Sequence, residues 1–467
     1  MLKRSDLDPH QLSGGEWIKQ RPNCALHWDV GVQKTATAAT AFADMLSTFD
    51  SRRMLVIAPK RVARKGWPRE IASWEHLKHL SVSPIVGTAD ECLRALRTPA
   101  DVHTINYDRI QWLYAQFIQH GKQVARWPWD FVVADEAHRL RNASGVRWKQ
   151  MEAFRHAKLF PRMVQLSGTF TPNGLRNAWA PMYLLDGGKR LGPTEDGYLR
   201  KYFSEPTHEY GKWQPKLGAP EEIAQRIADI CYTLRAEEVM TLPPVILNPI
   251  MVELSAQALR EYQKLKKKFI AEIGGAKITA ANSAALGGKL LQIANGAVYD
   301  ENKNVIHVHD AKLDALVDLL ESLNGKHALI VYAFQHDRDR ILKRVAESSQ
   351  FANSECRVLV SDDDEDAWAA GEIDFLLIHP DSAGEGTNLH LNVEAEDIIW
   401  FGGTNDLLKW IQTNGRLFGG KRRMGKKGRI HVLLADDTID ESYRELIEAK
   451  NVEQEDFKVM VAKYARR

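Results

Sequence analysis

The 467-residue chain lacks several features that would place it outside the soluble globular proteins. It has no uncharged apolar run of about eighteen residues, and its first residues, Met-Leu-Lys-Arg-Ser-Asp, lack the apolar core of a secretory signal. Its four cysteines, at positions 24, 92, 231 and 356, lack the paired spacing of a zinc site or a disulfide framework. We therefore expect a soluble intracellular protein without membrane association or structural metal.

Net charge carries little information, because 63 basic residues are almost balanced by 61 acidic ones, which leaves +2. The distribution of charge is more informative. Residues 416–429 include seven basic residues and no acidic one. A second basic cluster consists of Lys60, Arg61, Arg64, Lys65 and Arg69. Such clusters are either solvated faces or contacts to the phosphates of a nucleic acid.

The pattern of apolar residues predicts two α/β lobes. Short β-rich runs alternate with helix-length segments in two blocks, which is typical of parallel sheets wound with helices. The predicted strands are 54–58, 102–105, 131–134 and 164–166 in the first block, and 329–332, 357–360, 375–378, 398–401 and 430–434 in the second. Pro243 and Pro244 predict an extended linker. We place the first lobe at 1–240, the hinge at 241–250 and the second lobe at 251–467.

Two adjacent carboxylates follow one of these predicted strands. Residues 131–138 read Phe-Val-Val-Ala-Asp-Glu-Ala-His, so Asp135 and Glu136 would lie at the carboxyl end of the strand, where ligands bind in open α/β sheets. There Asp135 could hold Mg²⁺ and Glu136 could deprotonate a water for attack on a γ-phosphate. Taken alone, such a pair is more often a solvated acidic turn.

A second segment has the composition of a phosphate loop. Residues 29–35 read Asp-Val-Gly-Val-Gln-Lys-Thr and precede an Ala-rich segment suited to a helix. A phosphate loop binds phosphates with backbone N–H groups, adds a lysine for the β- and γ-phosphates, and uses a Ser or Thr hydroxyl on Mg²⁺. Lys34 and Thr35 suit these roles and Gly31 remains, but Gln33 stands where the strict pattern has glycine. An ordinary strand-to-helix turn explains this segment equally well.

In their order along the chain, these and further segments resemble the motifs of the superfamily-two DEAH-box helicases and translocases, specifically the Swi/Snf-like branch and its compact bacteriophage versions. The similar segments in the first half are an adenine-reading element at 9–11, motif Ia at 54–60 with Trp67 and Glu70, a nucleic-acid-facing element at 104–108, motif II at 135–138 and motif III at 167–169. Those in the second half are a helix start at 312–313, motif IV at 329–334, motif V at 382–389 and motif VI at 412–416. Phe170 stands where the family usually has proline.

The resemblance implies two tandem RecA-like lobes, each a mainly parallel sheet wound with helices, with helical insertions over residues 180–300. It implies an ATP-dependent DNA translocase or helicase that hydrolyses ATP in the cleft between the lobes. ATP and Mg²⁺ are the implied cofactors, and double-stranded DNA is the implied partner. We expect a monomer in the bacterial cytoplasm, either of a bacterium or of a phage-infected host.

The resemblance also assigns roles to single residues. It implies catalytic roles for Asp135, Glu136, Gln412 and Arg416. It implies nucleotide contacts for Gln11, Gly31, Gln33, Lys34, Thr35 and Gly386, with Mg²⁺ held by Thr35 and Asp135. It implies nucleic-acid contacts for Lys60, Arg61, Tyr107, Asn388, Lys421, Arg422 and Arg423.

Two departures from the family pattern leave alternatives open. Gln33 either strains the phosphate loop or makes its own hydrogen bond to a phosphate or to Asp135. Gly419 replaces the second arginine of motif VI, so that Arg422 or Arg423 would have to substitute for it. The leading hypothesis is a translocase or helicase. The second is a nucleic-acid-binding helicase-fold protein that holds ATP but hydrolyses it weakly. The third, an unrelated phosphate-loop kinase or GTPase, is disfavoured, because nothing in those classes needs the second block with residues 412–416.

Overall fold

The structure is a computed structural model that describes residues 1–120, 122–169, 171, 174–205, 213–274, 280–383, 386–420 and 427–465, without the side chains of 268–274, 280–284 and 382–383. These residues form two compact units. The first consists of residues 1–205, 213–240 and 452–465, and the second of residues 241–451. In these ranges no helix is both long enough and apolar enough to span a membrane.

The first unit is built on a sheet in which seven parallel strands are described. The strands are β1 (Asn23–Trp28), β2 (Met54–Ala58), β3 (Val82–Ile85), β4 (Val102–Asn106), β5 (Phe131–Asp135), β6 (Met163–Ser167) and β7 (Cys231–Leu234). Their order across the sheet is β7-β1-β6-β5-β2-β4-β3. Most of these strands are buried along their length, because helices cover the sheet on both faces.

The helices of the first unit are α1 (Pro9–Gln20), α2 (Lys34–Ser47), α3 (Trp67–Ser73), α4 (Ala89–Arg97), α5 (Ile110–Phe117), α6 (Val146–His156), α7 (Trp179–Asp186), α8 (Glu195–Tyr202), α9 (Ala219–Ile227) and α10 (Ala236–Val239). A π-helix at Val62–Gly66 directly precedes α3, and short 3-10 helices lie at Arg4–Asp6, Tyr107–Arg109, Ala137–Leu140 and Leu175–Ala178. Two small hairpins pair Ile118–Gln119 with Lys122–Gln123 and Phe203–Ser204 with Gln214–Pro215.

The second unit repeats the arrangement with six described parallel strands. They are β8 (Ile246–Val252), β9 (Ala328–Val331), β10 (Cys356–Val358), β11 (Phe375–Ile378), β12 (Asp397–Trp400) and β13 (Arg429–Ala435), in the order β8-β13-β12-β9-β11-β10. The helices from α11 onwards are α11 (Ala256–Gly274), α12 (Ala280–Ala294), α13 (Ala311–Ser322), α14 (Gln335–Glu347), α15 (Asp362–Ala369), α16 (Pro380–Ala383), α17 (Leu407–Phe418) and α18 (Ile439–Ala465). Two 3-10 helices lie at Ser349–Phe351 and Leu389–Leu391, and a hairpin pairs Ala297–Tyr299 with Val305–His307.

The expected fold, two tandem lobes that each consist of a parallel sheet wound with helices, is confirmed. Every strand predicted from the sequence is present, with ends that differ by at most two residues. Four strands of the two large sheets and the six short hairpin strands were not predicted. One of them, β1, carries His27 in a buried position, and burial lowers the pKa of that imidazole to about 3. A histidine that is neutral at physiological pH packs as a core residue, although the sequence alone marks it as polar.

Two structural boundaries differ from those expected. Strand β8 begins at Ile246, inside the predicted hinge at 241–250. The strand can include Pro249 because it lies at the edge of its sheet, where one side of the strand needs no hydrogen-bonded neighbour. Residues 452–465 of α18, which the sequence assigned to the second lobe, pack in the first unit, where Phe457 and Val461 enter its core. The 180–300 segment holds the expected helices but also β7 and β8, which belong to the two sheets.

Candidate nucleotide-binding site

Three of the expected motifs follow the carboxyl ends of three strands that are neighbours in the first sheet. The 29–35 loop follows β1, residues 167–169 begin at the last residue of β6, and residues 135–138 begin at the last residue of β5. Strand β6 lies between the other two and pairs with both. Parallel strands end at the same edge of a sheet, so the topology brings these segments together where ligands bind in α/β folds.

The lysine of the loop is enclosed by the loop itself. Lys34 is the first residue of α2, and its Nζ donates hydrogen bonds to the main-chain carbonyls of Trp28 at 2.8 Å and Asp29 at 2.9 Å. Burial lowers the pKa of Lys34, and the carboxylates of Glu136 and Asp135 oppose that shift. The ammonium therefore lies within electrostatic reach of motif II, and it contacts oxygen acceptors that phosphate oxygens could replace.

Gln33 occupies a backbone conformation that favours glycine. Its φ of 53° and ψ of 41° are left-handed, and Gly31 in the same loop also has a positive φ, of 82°. A residue with a Cβ pays about 1–2 kcal/mol for this conformation. The Oε1 atom of Gln33 is buried and accepts no hydrogen bond from any residue in the described ranges. The geometry favours the strained interpretation of this loop over the compensating hydrogen bond to Asp135.

We expect the Gln33→Gly variant to bind ATP more tightly and to show a roughly tenfold higher kcat/KM, because glycine adopts the left-handed conformation freely and removes the buried amide. Nucleotide titration and steady-state hydrolysis measure the two effects. Phe49→Gly is the matched control, since Phe49 has a φ of 60° but is 89% exposed outside the loop. Unchanged or weaker ATP binding by Gln33→Gly would mean that the Gln33 amide contacts the nucleotide.

Asp135 is the buried carboxylate of motif II. Its Oδ2 accepts a hydrogen bond from the indole Nε1 of Trp67 at 2.8 Å, and its Oδ1 accepts one from the main-chain N–H of Glu136 at 3.0 Å. Burial and the neighbouring Glu136 raise the pKa of Asp135 to about 6, against the opposing effects of Trp67 and Lys34. Burial makes the negative charge of Asp135 unfavourable, and a divalent cation bound next to it would stabilise that charge.

Glu136 is held in a strained conformation next to a buried histidine. Its φ is 55°, and its side chain is 22% exposed, so it remains accessible to solvent. Its Oε2 lies 3.2 Å from Nδ1 of His138, and the same nitrogen lies 3.4 Å from Oγ of Ser167 in motif III. Left-handed residues other than glycine often mark functional sites, where surrounding contacts maintain the strain. These contacts link motif II to motif III.

Gln11 carries an unused hydrogen-bond donor. Its side chain is buried, and its Oε1 accepts a hydrogen bond from the main-chain N–H of Asp8 at 3.0 Å. Its Nε2 is buried without a partner among the residues that the structure describes. A buried amide donor without a partner is costly, so the site fits a ligand that accepts a hydrogen bond, such as a nucleotide base.

The residues present fit ATP and Mg²⁺. The Nε2 donor of Gln11, which no described residue uses, suits a base. The ammonium of Lys34 and the amino terminus of α2 suit a phosphate chain. Within the described residues there is no group of three or more His, Cys, Asp and Glu side chains that could hold a metal ion. Mg²⁺ in phosphoryl-transfer sites is usually held by one or two carboxylates together with the phosphates, and Asp135 with the Thr35 hydroxyl could supply such a set.

The second unit carries the remaining motif residues. Gln412 and Arg416 lie one turn apart on α17, and Arg416 is buried. Gly386 has a positive φ of 75°, and the main-chain N–H of Asn388 donates to Oε1 of Glu365 at 2.9 Å. Residues 384–385 of motif V lie outside the described ranges, as do Lys421, Arg422 and Arg423.

The expected nucleic-acid residues of the first unit have different environments. Lys60, Arg64 and Arg69 of the second basic cluster are exposed, whereas Arg61 and Lys65 are half-buried. Tyr107 is only 2% exposed, and its hydroxyl donates to the main-chain carbonyl of Asp135 at 2.8 Å. An enclosed side chain cannot meet a nucleic acid, so Tyr107 supports motif II from inside, contrary to the expectation from the sequence.

Sequence reasoning missed a buried lysine next to the phosphate loop. The Lys458 side chain on α18 is 3% exposed, and its Nζ pairs with Oδ1 of Asp29 at 2.6 Å and with Oε1 of Glu455 at 2.8 Å. Oδ2 of Asp29 accepts the main-chain N–H of Ala236 at 2.9 Å. Burial lowers the pKa of Lys458, but Asp29 and Glu455 outweigh it, so the pKa lies above its usual range. No local pattern indicated this pairing.

We expect Lys458→Met to destabilise the first unit by about 2 kcal/mol, because removal of the cation leaves two partly buried carboxylates without a countercharge. The melting temperature of the full chain should fall by roughly 4–8 °C. Calorimetry measures this change. Lys463→Met is the matched control, because Lys463 lies on the same helix but is exposed. Equal melting temperatures for the two variants would contradict a stabilising role of the Lys458 pair.

Comparisons with known proteins identify the relatives of the chain. The family model described as "SNF2-related domain" matches residues 10–296. The chain is 33% identical over 441 residues to putative protein p41 of Acyrthosiphon pisum secondary endosymbiont phage 1, covering 91% of this chain and 92% of that protein. It is 22% identical over 472 residues to the ISWI chromatin-remodeling complex ATPase ISW1 of Saccharomyces cerevisiae, covering 94% of this chain but 39% of ISW1. The solved SWI2/SNF2 ATPase core of Sulfolobus solfataricus in complex with dsDNA is 18% identical, with a TM-score of 0.44, 99% of this chain covered and 95% of that chain.

Proposed function

The chain belongs to the SNF2-related family of Swi/Snf-like superfamily-two ATPases, and on that premise we propose that it hydrolyses ATP to move along double-stranded DNA. The observation that carries the proposal is the position of Lys34, Asp135 and Glu136 at the carboxyl ends of β1 and β5, the two strands that flank β6, with both carboxylates in electrostatic reach of Lys34. A lysine, a buried carboxylate and an accessible carboxylate are the groups that phosphoryl transfer to water requires.

Each residue has a distinct part in the proposed reaction. Lys34 and the first N–H groups of α2 would bind the phosphates, and Asp135 with Thr35 would hold Mg²⁺, which when bound neutralises phosphate charge. Glu136 would orient the attacking water and accept its proton, while the 3.2 Å contact to His138 fixes the carboxylate. The roles proposed for Gln412 and Arg416 rest on their match to motif VI.

The exposed basic residues beside motif Ia support a nucleic-acid partner. Lys60, Arg64 and Arg69 present cationic side chains to solvent on one segment of the first unit. A motor that ignores sequence binds the phosphate backbone, for which lysine and arginine are the usual contacts. We further propose that the protein works as a monomer in the bacterial cytoplasm, in line with its phage relative.

A second candidate function is a nucleic-acid-binding protein that holds ATP but hydrolyses it weakly. The left-handed Gln33, whose Oε1 has no partner in the described part of the chain, favours this alternative, as does Gly419 in place of a motif VI arginine. Steady-state ATP hydrolysis with duplex, forked and single-stranded DNA, and with RNA, separates the two. We expect the largest stimulation by duplex DNA. Nucleotide binding without stimulated hydrolysis would favour the second candidate.

A further inference from the structure

The indole of Trp67 donates a hydrogen bond directly to Asp135, which is proposed to hold Mg²⁺. Trp67 is the first residue of α3 and is fully buried, at 0% exposure. Its Nε1 donates to Oδ2 of Asp135 at 2.8 Å, across 68 residues of sequence. A hydrogen bond to a charged acceptor is stronger than one between neutral groups, and it fixes the direction of the acceptor. The orientation of Asp135 therefore depends on the position of Trp67.

A second tryptophan on the same segment shows that a buried indole does not need a distant carboxylate as its acceptor. Trp74 is 1% exposed, and it donates its Nε1 to Oε1 of Glu70, four residues earlier, at 3.0 Å. A buried indole N–H needs an acceptor, and a neighbour in sequence suffices for Trp74. The indole of Trp67 instead reaches a carboxylate on another element of the fold, at the end of β5.

The segment that carries Trp67 also carries the second basic cluster. The π-helix at Val62–Gly66 ends where the main-chain N–H of Trp67 donates to the carbonyl of Val62. Arg64 and Lys65 lie within this π-helix, and Lys60 and Arg61 directly precede it. π-Helical turns are rare and frequently occur at functional sites.

This segment is tied to the sheet at its centre and at its end. In the centre, Oγ1 of Thr104 on β4 donates to the main-chain carbonyl of Ala63 at 2.5 Å. At the end, the indole of Trp67 contacts Asp135. A force on Arg64, the exposed basic side chain between these two points, acts on a short, packed element. The basic cluster and Trp67, whose indole contacts Asp135, are therefore only a few residues apart in the sequence.

We propose that Trp67 is a positioning residue that couples the binding of nucleic-acid phosphates at the second basic cluster to the orientation of Asp135 toward Mg²⁺. The proposal rests on the proposed function and deepens it, because it names the contact through which nucleic acid would stimulate ATP hydrolysis. Trp67 does not touch the reacting atoms. It acts through Asp135.

The positioning role is tested by metal binding without nucleic acid. Mn²⁺, an electron-spin-resonance probe for Mg²⁺, is titrated into the full chain with a non-hydrolysable ATP analogue. We expect Trp67→Phe to weaken Mn²⁺ binding roughly tenfold, because phenylalanine keeps an aromatic ring but donates no hydrogen bond. Replacement of Trp67 by benzothienylalanine, which has the shape of tryptophan with sulfur in place of N–H, should give the same loss without a cavity. Trp74→Phe is the matched control and should bind Mn²⁺ like the wild type.

The coupling role is tested with duplex DNA. In the wild type we expect DNA to raise both kcat for ATP and the affinity for Mn²⁺. In Trp67→Phe the stimulation of kcat should fall at least about fivefold, while the concentration of DNA that gives half-maximal effect stays the same, since the basic side chains are intact. Trp74→Phe should keep the full stimulation.

Four results decide between these roles and their alternatives. Equal Mn²⁺ affinity in Trp67→Phe and the wild type would overturn the positioning role, and an equal loss in Trp74→Phe would assign the effect to the packing of α3 and overturn it as well. Full DNA stimulation in Trp67→Phe would overturn the coupling role. If no nucleic acid stimulates the wild type, the proposed function fails and the coupling role with it, but the Mn²⁺ comparison still decides whether Trp67 positions Asp135.

Discussion

Replacement of Glu136 by glutamine should lower kcat for ATP hydrolysis at least roughly a hundredfold, while ATP remains bound. Glutamine keeps the shape of the side chain and its reach toward His138, but an amide cannot accept the proton of the attacking water. Asp135 and Lys34 are unchanged in this variant, so the groups proposed to hold the metal and the phosphates remain. Hydrolysis is measured at saturating ATP, and affinity by titration with a fluorescent nucleotide.

Glu152→Gln is the matched control for this experiment. Glu152 also lies near a histidine, with 3.7 Å between its Oε1 and Nε2 of His156, but on α6 and away from the strand ends. Its variant should hydrolyse ATP at the wild-type rate. Near-normal turnover by Glu136→Gln would show that Glu136 is not the base, and the assignment of motif II would have to be abandoned.

The second large effect is expected for Lys34→Ala, which should weaken ATP binding by roughly tenfold to a hundredfold, since a charge-assisted hydrogen bond contributes about 1.5–3 kcal/mol. The reason lies in the position of Lys34, which is half-buried at the amino terminus of α2 with its Nζ held by two main-chain carbonyls. Binding is measured by nucleotide titration of the full chain. The effect should appear in the dissociation constant before any effect on kcat.

The loss of ATP affinity in Lys34→Ala should not be accompanied by a loss of stability of the nucleotide-free protein. Burial lowers the pKa of Lys34 in the folded state, so the charged form is less favourable there than in the unfolded chain at every pH below the unfolded pKa. Removal of the lysine should therefore leave the melting temperature of the free protein unchanged or higher. A large fall in melting temperature, with unchanged ATP affinity, would identify Lys34 as a structural residue of an ordinary strand-to-helix turn.

Much of the fold and the centre of the site could be predicted from the sequence, because their signals are local. Apolar runs such as 54–58 and 375–378 have the length and composition of buried strands, and the structure has both with the predicted ends. The segment 29–35 places a lysine directly before a helix-forming run, and the structure begins α2 at Lys34. Strand β1 was not predicted, because histidine counts as a polar residue in the sequence, whereas His27 is buried in the structure.

What the sequence determined by itself is the identity and order of the chemical groups, since each motif is a short segment whose residues carry their chemistry wherever the chain places them. The tertiary structure alone decided which of those groups meet. Trp67 and Asp135 are 68 residues apart, and Lys458 and Asp29 are 429 apart, yet each pair is in hydrogen-bond contact. Tyr107, which the resemblance assigned to nucleic acid, is likewise buried and donates a hydrogen bond to the main-chain carbonyl of Asp135. Such contacts depend on the order of strands across the sheet and on the packing of helices against it, and neither leaves a periodic pattern in the residues concerned.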